Sequence, residues 1–420
     1  MVKLSQTGKR GKKVISRREF IKSVMAVGGV AAAGSVGFPN ILRGAVPPEI
    51  KIGDILPVSG FLAFDGQIAR RGHLLGVKEI NDAGGIKSLG GAKLALLGGD
   101  SEGKPDRAIP EVERLYRAGA VAITGAYQSS VSLVATQIAE KLRVPFLVDL
   151  AVDDKITGRE FKYTFHLQPN STQMGSKTLR YLSEIAATTG EKIGTIAYLH
   201  DNTSFGTSLS EVAVKYAPQY GMQLITLVPY SPQAADVTTE VAKIKSAGAD
   251  IILFTGYIDD GIRVLQTMRN LRVKAKAIVG VGSGYSKPSF IDQLGKITEY
   301  VMDGNLQPNP LSPLTKRINS EYEAAYGEKS SNTVPWACWA IHIIADAIER
   351  AKSADREAIR EALIKTNMTQ HPLPQGPIIF LPDGRNKDAG VGLTQVLNSK
   401  IQMVWPKEFA ESKPVFPVPN

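Results

Sequence analysis

From residue 50 onward, short apolar runs alternate with longer stretches whose apolar positions recur every three or four residues. Runs of the first kind predict buried strands and stretches of the second kind predict amphipathic helices. Residues 50–56 predict a strand, and 67–81 a helix that stops at Ala83-Gly84-Gly85. A strand at 93–98, a helix after Pro105, a strand at 121–124, a helix at 131–142 and a strand at 145–150 continue the alternation. A second series opens with a helix at 172–187. It has strands at 193–199, 223–228, 251–255 and 277–281, and helices at 207–217, 237–247 and 261–271. Strands that alternate with helices imply parallel sheets, and two such series imply two Rossmann-like α/β lobes.

The rhythm then breaks. Residues 314–326, 337–351 and 356–365 predict consecutive helices, and 392–397 with 401–405 a closing hairpin. A chain that returns to helices after a second lobe is expected to cross back onto the first. The expected crossovers fall near Gln168-Pro169, Leu306-Gln307-Pro308 and Gly376-Pro377. The expected division is a leader at 1–45, one lobe of 46–168 plus 307–376, and another of 169–306 plus 377–420. Three parallel crossovers make a hinge, and hinge closure traps a ligand between lobes.

Charge changes the picture only at the N-terminus. The net charge of +10 would ordinarily point to nucleic acid. Nine of the 50 basic residues and one of the 40 acids lie in residues 1–45, which leaves 41 basic against 39 acidic in the body. Within that leader, Ser16-Arg17-Arg18-Glu19-Phe20-Ile21-Lys22 matches the twin-arginine export pattern. Residues 24–38 follow as a weakly apolar stretch, shorter than the roughly 20 residues a spanning helix needs. The expected destination is the periplasm. Cys338, the only cysteine, excludes an intrachain disulfide and sits at the start of an apolar helical stretch, where it reads as core.

Enzyme signatures are missing. Gly280-Val281-Gly282-Ser283-Gly284 lacks the Lys-Ser/Thr of a phosphate loop and the glycine interval of a dinucleotide fingerprint. No nucleophile elbow occurs. His73, His166, His200, His342 and His371 are not paired at metal-ligand spacing. Asp153-Asp154 and Asp259-Asp260 read as solvated loop charges. The expectation is a protein without catalytic residues, cofactor or metal. A two-lobed repressor would need a helix-turn-helix at one end, and a sensor ectodomain a membrane helix after residue 405.

Several segments resemble the leucine/isoleucine/valine-type periplasmic solute-binding proteins of ABC transporters. They are Ile50-Lys51-Ile52-Gly53-Asp54-Ile55-Leu56-Pro57-Val58-Ser59-Gly60, the helix ending Asn81-Asp82-Ala83-Gly84-Gly85-Ile86, and Gly125-Ala126-Tyr127-Gln128-Ser129-Ser130. Asp201-Asn202-Thr203-Ser204-Phe205-Gly206 and Gly376-Pro377-Ile378-Ile379-Phe380 with Asp383-Gly384 extend the likeness over about residues 50–405. The resemblance implies a type I periplasmic-binding fold with three interlobe crossovers and delivery of a small molecule to membrane permease subunits. A sensory module handing ligand to a receptor would look the same.

In open α/β sheets ligands sit beyond the carboxyl ends of strands. That selects Ser59, Phe64 and Asp65 after the first strand, and Tyr127, Gln128, Ser129 and Ser130 after the third. Free N–H groups at the helix start there, with the two hydroxyls, suit a carboxylate. Leu150, Ala151 and Val152 follow the fourth strand as an apolar wall. Phe205, Tyr257 and Asp259 come from the second lobe, with Gly282 and Ser283 standing where the resemblance implies a carboxylate for a ligand ammonium. Because that place lacks charge, the expected ligand is a small organic carboxylate with an aromatic or branched apolar body. A branched-chain amino acid or an amide is the alternative.

Overall fold

The computed structural model describes residues 49–419. The expected export leader lies outside them. Strands β1 (Ile50–Leu56), β2 (Leu94–Asp100), β3 (Ala122–Gly125), β4 (Phe146–Val148) and β5 (Thr164–His166) form one sheet, in the order β2-β1-β3-β4-β5. Every pairing in it is parallel. Helices α1 (Ala63–Asp82), α2 (Pro105–Arg117) and α3 (Ser129–Leu142) connect the first four strands.

A second sheet contains β6 (Thr195–Asp201), β7 (Gln223–Tyr230), β8 (Ile251–Thr255), β9 (Ala277–Val281) and β10 (Met302–Asn305). Helices α4 (Ser171–Thr189), α5 (Ser204–Tyr216), α6 (Thr238–Ala247), α7 (Ile258–Asn270) and α8 (Pro288–Leu294) belong to this half. Helices α9 (Pro313–Tyr326), α10 (Thr333–Ala351) and α11 (Arg356–Leu363) follow, then a short antiparallel pair, β11 (Asn367–Met368) and β12 (Ile378–Ile379). The hairpin of β13 (Gly392–Leu397) and β14 (Lys400–Trp405) joins the second sheet, whose order is β14-β13-β10-β9-β8-β6-β7. Pairing is parallel from β7 through β10 and antiparallel at β13 and β14. Each sheet with its helices is a lobe, as the two α/β series predict.

All residues of β8 and β9 are buried, which explains why they are apolar up to Thr255 at the end of β8: helices cover both faces of a parallel sheet. The chain returns to the first lobe through α10, which packs on α1. A Cβ on Gly76 would stand 2.6 Å from the Cys338 carbonyl oxygen, and one on Gly72 2.8 Å from the Ala337 methyl. Only glycine permits that approach of two helices. The return to the second lobe comes beyond Gly376-Pro377, since Gly384 and Asn386 still bond to His166 of β5 at 2.9 Å each.

Two strands of the main sheets, β5 and β10, were absent from the expected pattern, as was the short β11–β12 pair. The sequence Met-Asp-Gly-Asn of β10 is too polar to read as a strand, yet all four residues are buried. Asp303 makes this possible by accepting from Ser283 Oγ (3.0 Å), Ser286 Oγ (2.5 Å) and Asn305 Nδ2 (3.0 Å). A buried polar group so bonded does not forfeit its solvation uncompensated. Among the described residues, no helix is long and apolar enough to cross a membrane.

Candidate ligand-binding cleft

The carboxyl ends of strands from both lobes converge on one crevice. From the first lobe, the β3–α3 turn supplies Tyr127 and Ser129, and the segment after β4 supplies Leu150, Ala151 and Val152. From the second come Phe205 at the start of α5, Tyr257 after β8, and Gly282 and Ser283 after β9. These nine expected residues are brought together on the cavity wall.

The other six are not on it. Ser59 is exposed, and its hydroxyl donates to Asp100 Oδ2 at 2.6 Å, which fixes the turn after β1. Phe64 is 53% exposed. Gln128 is buried but donates to the Gly103 carbonyl at 3.0 Å, and Ser130 is half-buried off the wall. Asp259 is exposed, while its neighbour Asp260 is buried against the Tyr230 hydroxyl. Asp65 is buried behind the wall in an ion pair with Lys287.

The reading of the paired acids as solvated also needs correction. Asp153 is 2% exposed and caps a short 3₁₀ turn through the Lys155 N–H, and Asp260 is 1% exposed. Neighbours on a chain face different ways, so a pair on one loop splits into a buried member and an outer one. Burial pushes the Asp260 carboxyl up to about 8, despite the hydroxyl it accepts from Tyr230.

Ser129 does not cap α3; Gln128 occupies that position without a side-chain bond. Its Oγ instead accepts from the Val152 and Asp153 N–H groups at 3.3 Å each, tying α3 to the segment after β4. Its own proton is left for a further acceptor. With the unpaired N–H groups of the first turn, this end of α3 presents donors to an anion. An aromatic wall also crosses the cleft. The Tyr257 ring lies 5.3 Å from Phe205 of its own lobe and 6.2 Å from Tyr127 of the other. Burial raises both tyrosine hydroxyls well above their ordinary value, so they stay protonated donors.

Several wall residues escaped sequence reasoning. Asn305 and Leu306 follow the unforeseen β10, and Asn332 and Thr333 open α10, which is distant in sequence from both series. Lys287 is the main omission. The loop after β9 was read as uncharged, yet this lysine, five residues beyond Gly282, lines the cavity and reaches Asp65 and Tyr127. A lone cation just before Pro288 was the available signal. Behind the same loop stands Asp303, pushed up by burial to about 6.

Folding also gathers Glu79, Cys338 and His342, whose ligating atoms lie within 4.8 Å of one another. None of the three lines the cleft. Glu79 Oε2 already meets His342 Nε2 at 2.7 Å and the Arg317 guanidinium at 3.1 Å. That is an ion cluster bracing α1, α9 and α10, with a fixed cation where a metal would bring its charge.

A two-lobed α/β protein whose strand ends converge on a cleft of aromatic, apolar and donor groups has the construction of a solute-binding protein. The family described as periplasmic binding protein matches residues 49–400. The chain belongs to that family. Among its relatives, Leu/Ile/Val-binding protein homolog 7 of Brucella suis biovar 1 (strain 1330) is 29% identical over 387 residues, covering 89% of this chain and 96% of the relative. Leu/Ile/Val-binding protein homolog 8 of Brucella abortus (strain 2308) is 30% identical over 314 residues, 71% of this chain and 76% of the relative. The crystal structure of the leucine-binding protein LivK from Thermotoga maritima MSB8 superposes with a TM-score of 0.74 at 21% identity, over 84% of this chain and 97% of that one. LivJ from Streptococcus pneumoniae, in complex with isoleucine, also gives 0.74 at 21% identity, over 85% and 100%. At that identity these structures establish the type I periplasmic-binding fold.

Proposed function

We propose that this protein captures a small branched, apolar carboxylate in the interlobe cleft and hands it to the membrane subunits of an ABC uptake system. The observation that carries the reading is the cavity itself: Ser129 and the first turn of α3 offer donors at one end, and Leu150, Val152, Phe205 and Tyr257 offer an apolar sheath. Donors at a helix start suit a carboxylate, and the sheath suits an aliphatic body. The names of the relatives, Leu/Ile/Val-binding homologues, favour a branched aliphatic body over an aromatic one and support the branched-chain amino acid alternative. The twin-arginine leader, and the membership of a periplasmic family, support extracytoplasmic capture after export by that route. Lobes of 46–168 plus 307–376 and 169–306 plus 377–420, hinged at their crossovers, would close over the ligand.

The test is thermal-shift screening of the purified chain against leucine, isoleucine, valine, their 2-oxo acids, and benzoate-like acids. A ligand at 100 times its dissociation constant should stabilise the fold by about 2.7 kcal/mol. A shift with branched aliphatic acids is the expected result. A shift confined to aromatic acids, or none with any, would overturn it.

A further inference from the structure

Among the described residues, Lys287 is the one formally charged side chain in the wall of the cleft cavity. It is no solvated rim charge, since its side chain is only 8% exposed. Lys287 follows β9 in the second lobe, yet its ammonium is held by the first. It donates to Asp65 Oδ1 and, at 2.8 Å, to the Tyr127 hydroxyl oxygen. It also stands 5.3 Å from the centroid of the Tyr127 ring. A carboxylate and a phenolic oxygen converging on one nitrogen make a cage for an amine. Here the chain's own lysine fills it.

An ammonium carries three N–H donors and no acceptor. Two of those on Lys287 have partners in the structure, which leaves one for a ligand in the cavity. That donor needs an acceptor opposite it. The ammonium of an α-amino acid offers none. It would meet a like charge in a desolvated space whose wall contains no carboxylate. A carbonyl or hydroxyl oxygen on the same carbon has neither defect. The remaining acceptor of the cage, Asp65 Oδ2, is buried and without a partner, and a ligand amine could use it only if Lys287 vacated the place.

We infer that Lys287 determines specificity by occupying the amine subsite from within, so that the ligand is a branched 2-oxo or 2-hydroxy acid, not the corresponding α-amino acid. This rests on the reading above, in which a branched carboxylate lies with its anionic end at α3. Lys287 then contributes twice, as a donor to the ligand's α-oxygen and as the ionic link between lobes when the cleft is shut.

The experiment is calorimetric titration of the wild-type chain with 4-methyl-2-oxopentanoate and with L-leucine near neutral pH. The oxo acid should bind at least about tenfold more tightly. Lys287→Met, close in length and uncharged, empties the cage while leaving Asp65 and Tyr127, and should reverse the preference by gaining leucine and losing oxo acid. Lys287→Arg keeps the charge and should keep the oxo-acid preference. Wild-type protein that binds leucine as tightly as the oxo acid would overturn the inference and leave branched-acid capture standing. A folded Lys287→Met with an unchanged ratio would also overturn it. If neither compound binds, the branched-acid reading falls and takes this inference with it. Should Lys287→Met fail to fold, the wild-type ratio decides alone.

Discussion

Replacing His73 with leucine tests whether the first lobe is held together by a buried ion cluster next to the cleft. His73, in α1, is fully buried. Its Nδ1 lies 3.2 Å from Asp54 Oδ2 on β1, and its Nε2 lies 2.7 Å from Asp149 Oδ2 immediately before Leu150. Burial alone would lower the imidazole, but the two carboxylates, Asp149 foremost, override it and raise it from 6.5 to about 9. That shift corresponds to about 3 kcal/mol favouring the charged ring. Asp54 would keep Arg70, which bonds it at 2.8 and 3.0 Å. Asp149 would keep nothing, for its other oxygen is already buried and unpaired. Breaking a buried pair from one side costs about 3–5 kcal/mol, so His73→Leu should lose about that much. Urea unfolding near pH 7, read as a fall in midpoint at constant slope, measures it. His73→Leu/Asp149→Leu removes both charges and should recover most of the loss. A single-variant loss below about 1 kcal/mol, or a double variant no more stable than the single, would refute the reasoning. The pH dependence follows from a raised folded value: the contribution is whole below 6.5 and disappears as pH rises through about 9.

Asp260 gives a second pH signature of the same sign. Its carboxyl rises from 3.8 to about 8, so the stability it contributes is whole below 3.8 and is lost as pH rises through about 8. Asp260→Asn still accepts from Tyr230 and cannot ionise, so the fall in melting temperature between about pH 6 and about pH 9 should shrink, leaving the His73 part. An unchanged fall would contradict the assignment. Gly282 has φ of +69°, and a Cβ there would stand 2.8 Å from Met174 Sδ and 3.4 Å from Phe205. Gly282→Ala should therefore cost about 1–2 kcal/mol in urea unfolding through its left-handed backbone. It should also weaken ligand affinity, measured by calorimetry, by shifting the aromatic wall.

Much of the fold was legible because a parallel strand covered on both faces must be largely apolar, and β8 and β9 are. The exceptions share one cause. The buried Met-Asp-Gly-Asn of β10 is a strand only because serines from the β9 loop and a neighbouring asparagine satisfy Asp303. Such partners leave no mark in a local pattern. The same holds for Asp260, read as a solvated loop charge and found buried beneath Tyr230.

At the cleft, the rule that ligands gather beyond strand ends located the β3–α3 turn, the segment after β4, and the loops after β8 and β9. Local sequence carried that much, since strand ends follow from where apolar runs stop. It could not say which side chain in each loop faces inward, and so Ser59, Phe64 and Asp259 were counted with Ser129 and Tyr257. Side-chain direction depends on the turn geometry and on what packs behind it. Local pattern by itself determined the α/β class, the two series of strands and helices, and the loops from which a site must be built. Only the tertiary structure decided the charge of that site. Lys287 and Asp65 are 222 positions apart, and their pairing exists because one lobe closes on the other. Periodicity reports the burial of each element against its own lobe, whereas an ion pair across a cleft depends on the distance between two lobes, which no local pattern encodes.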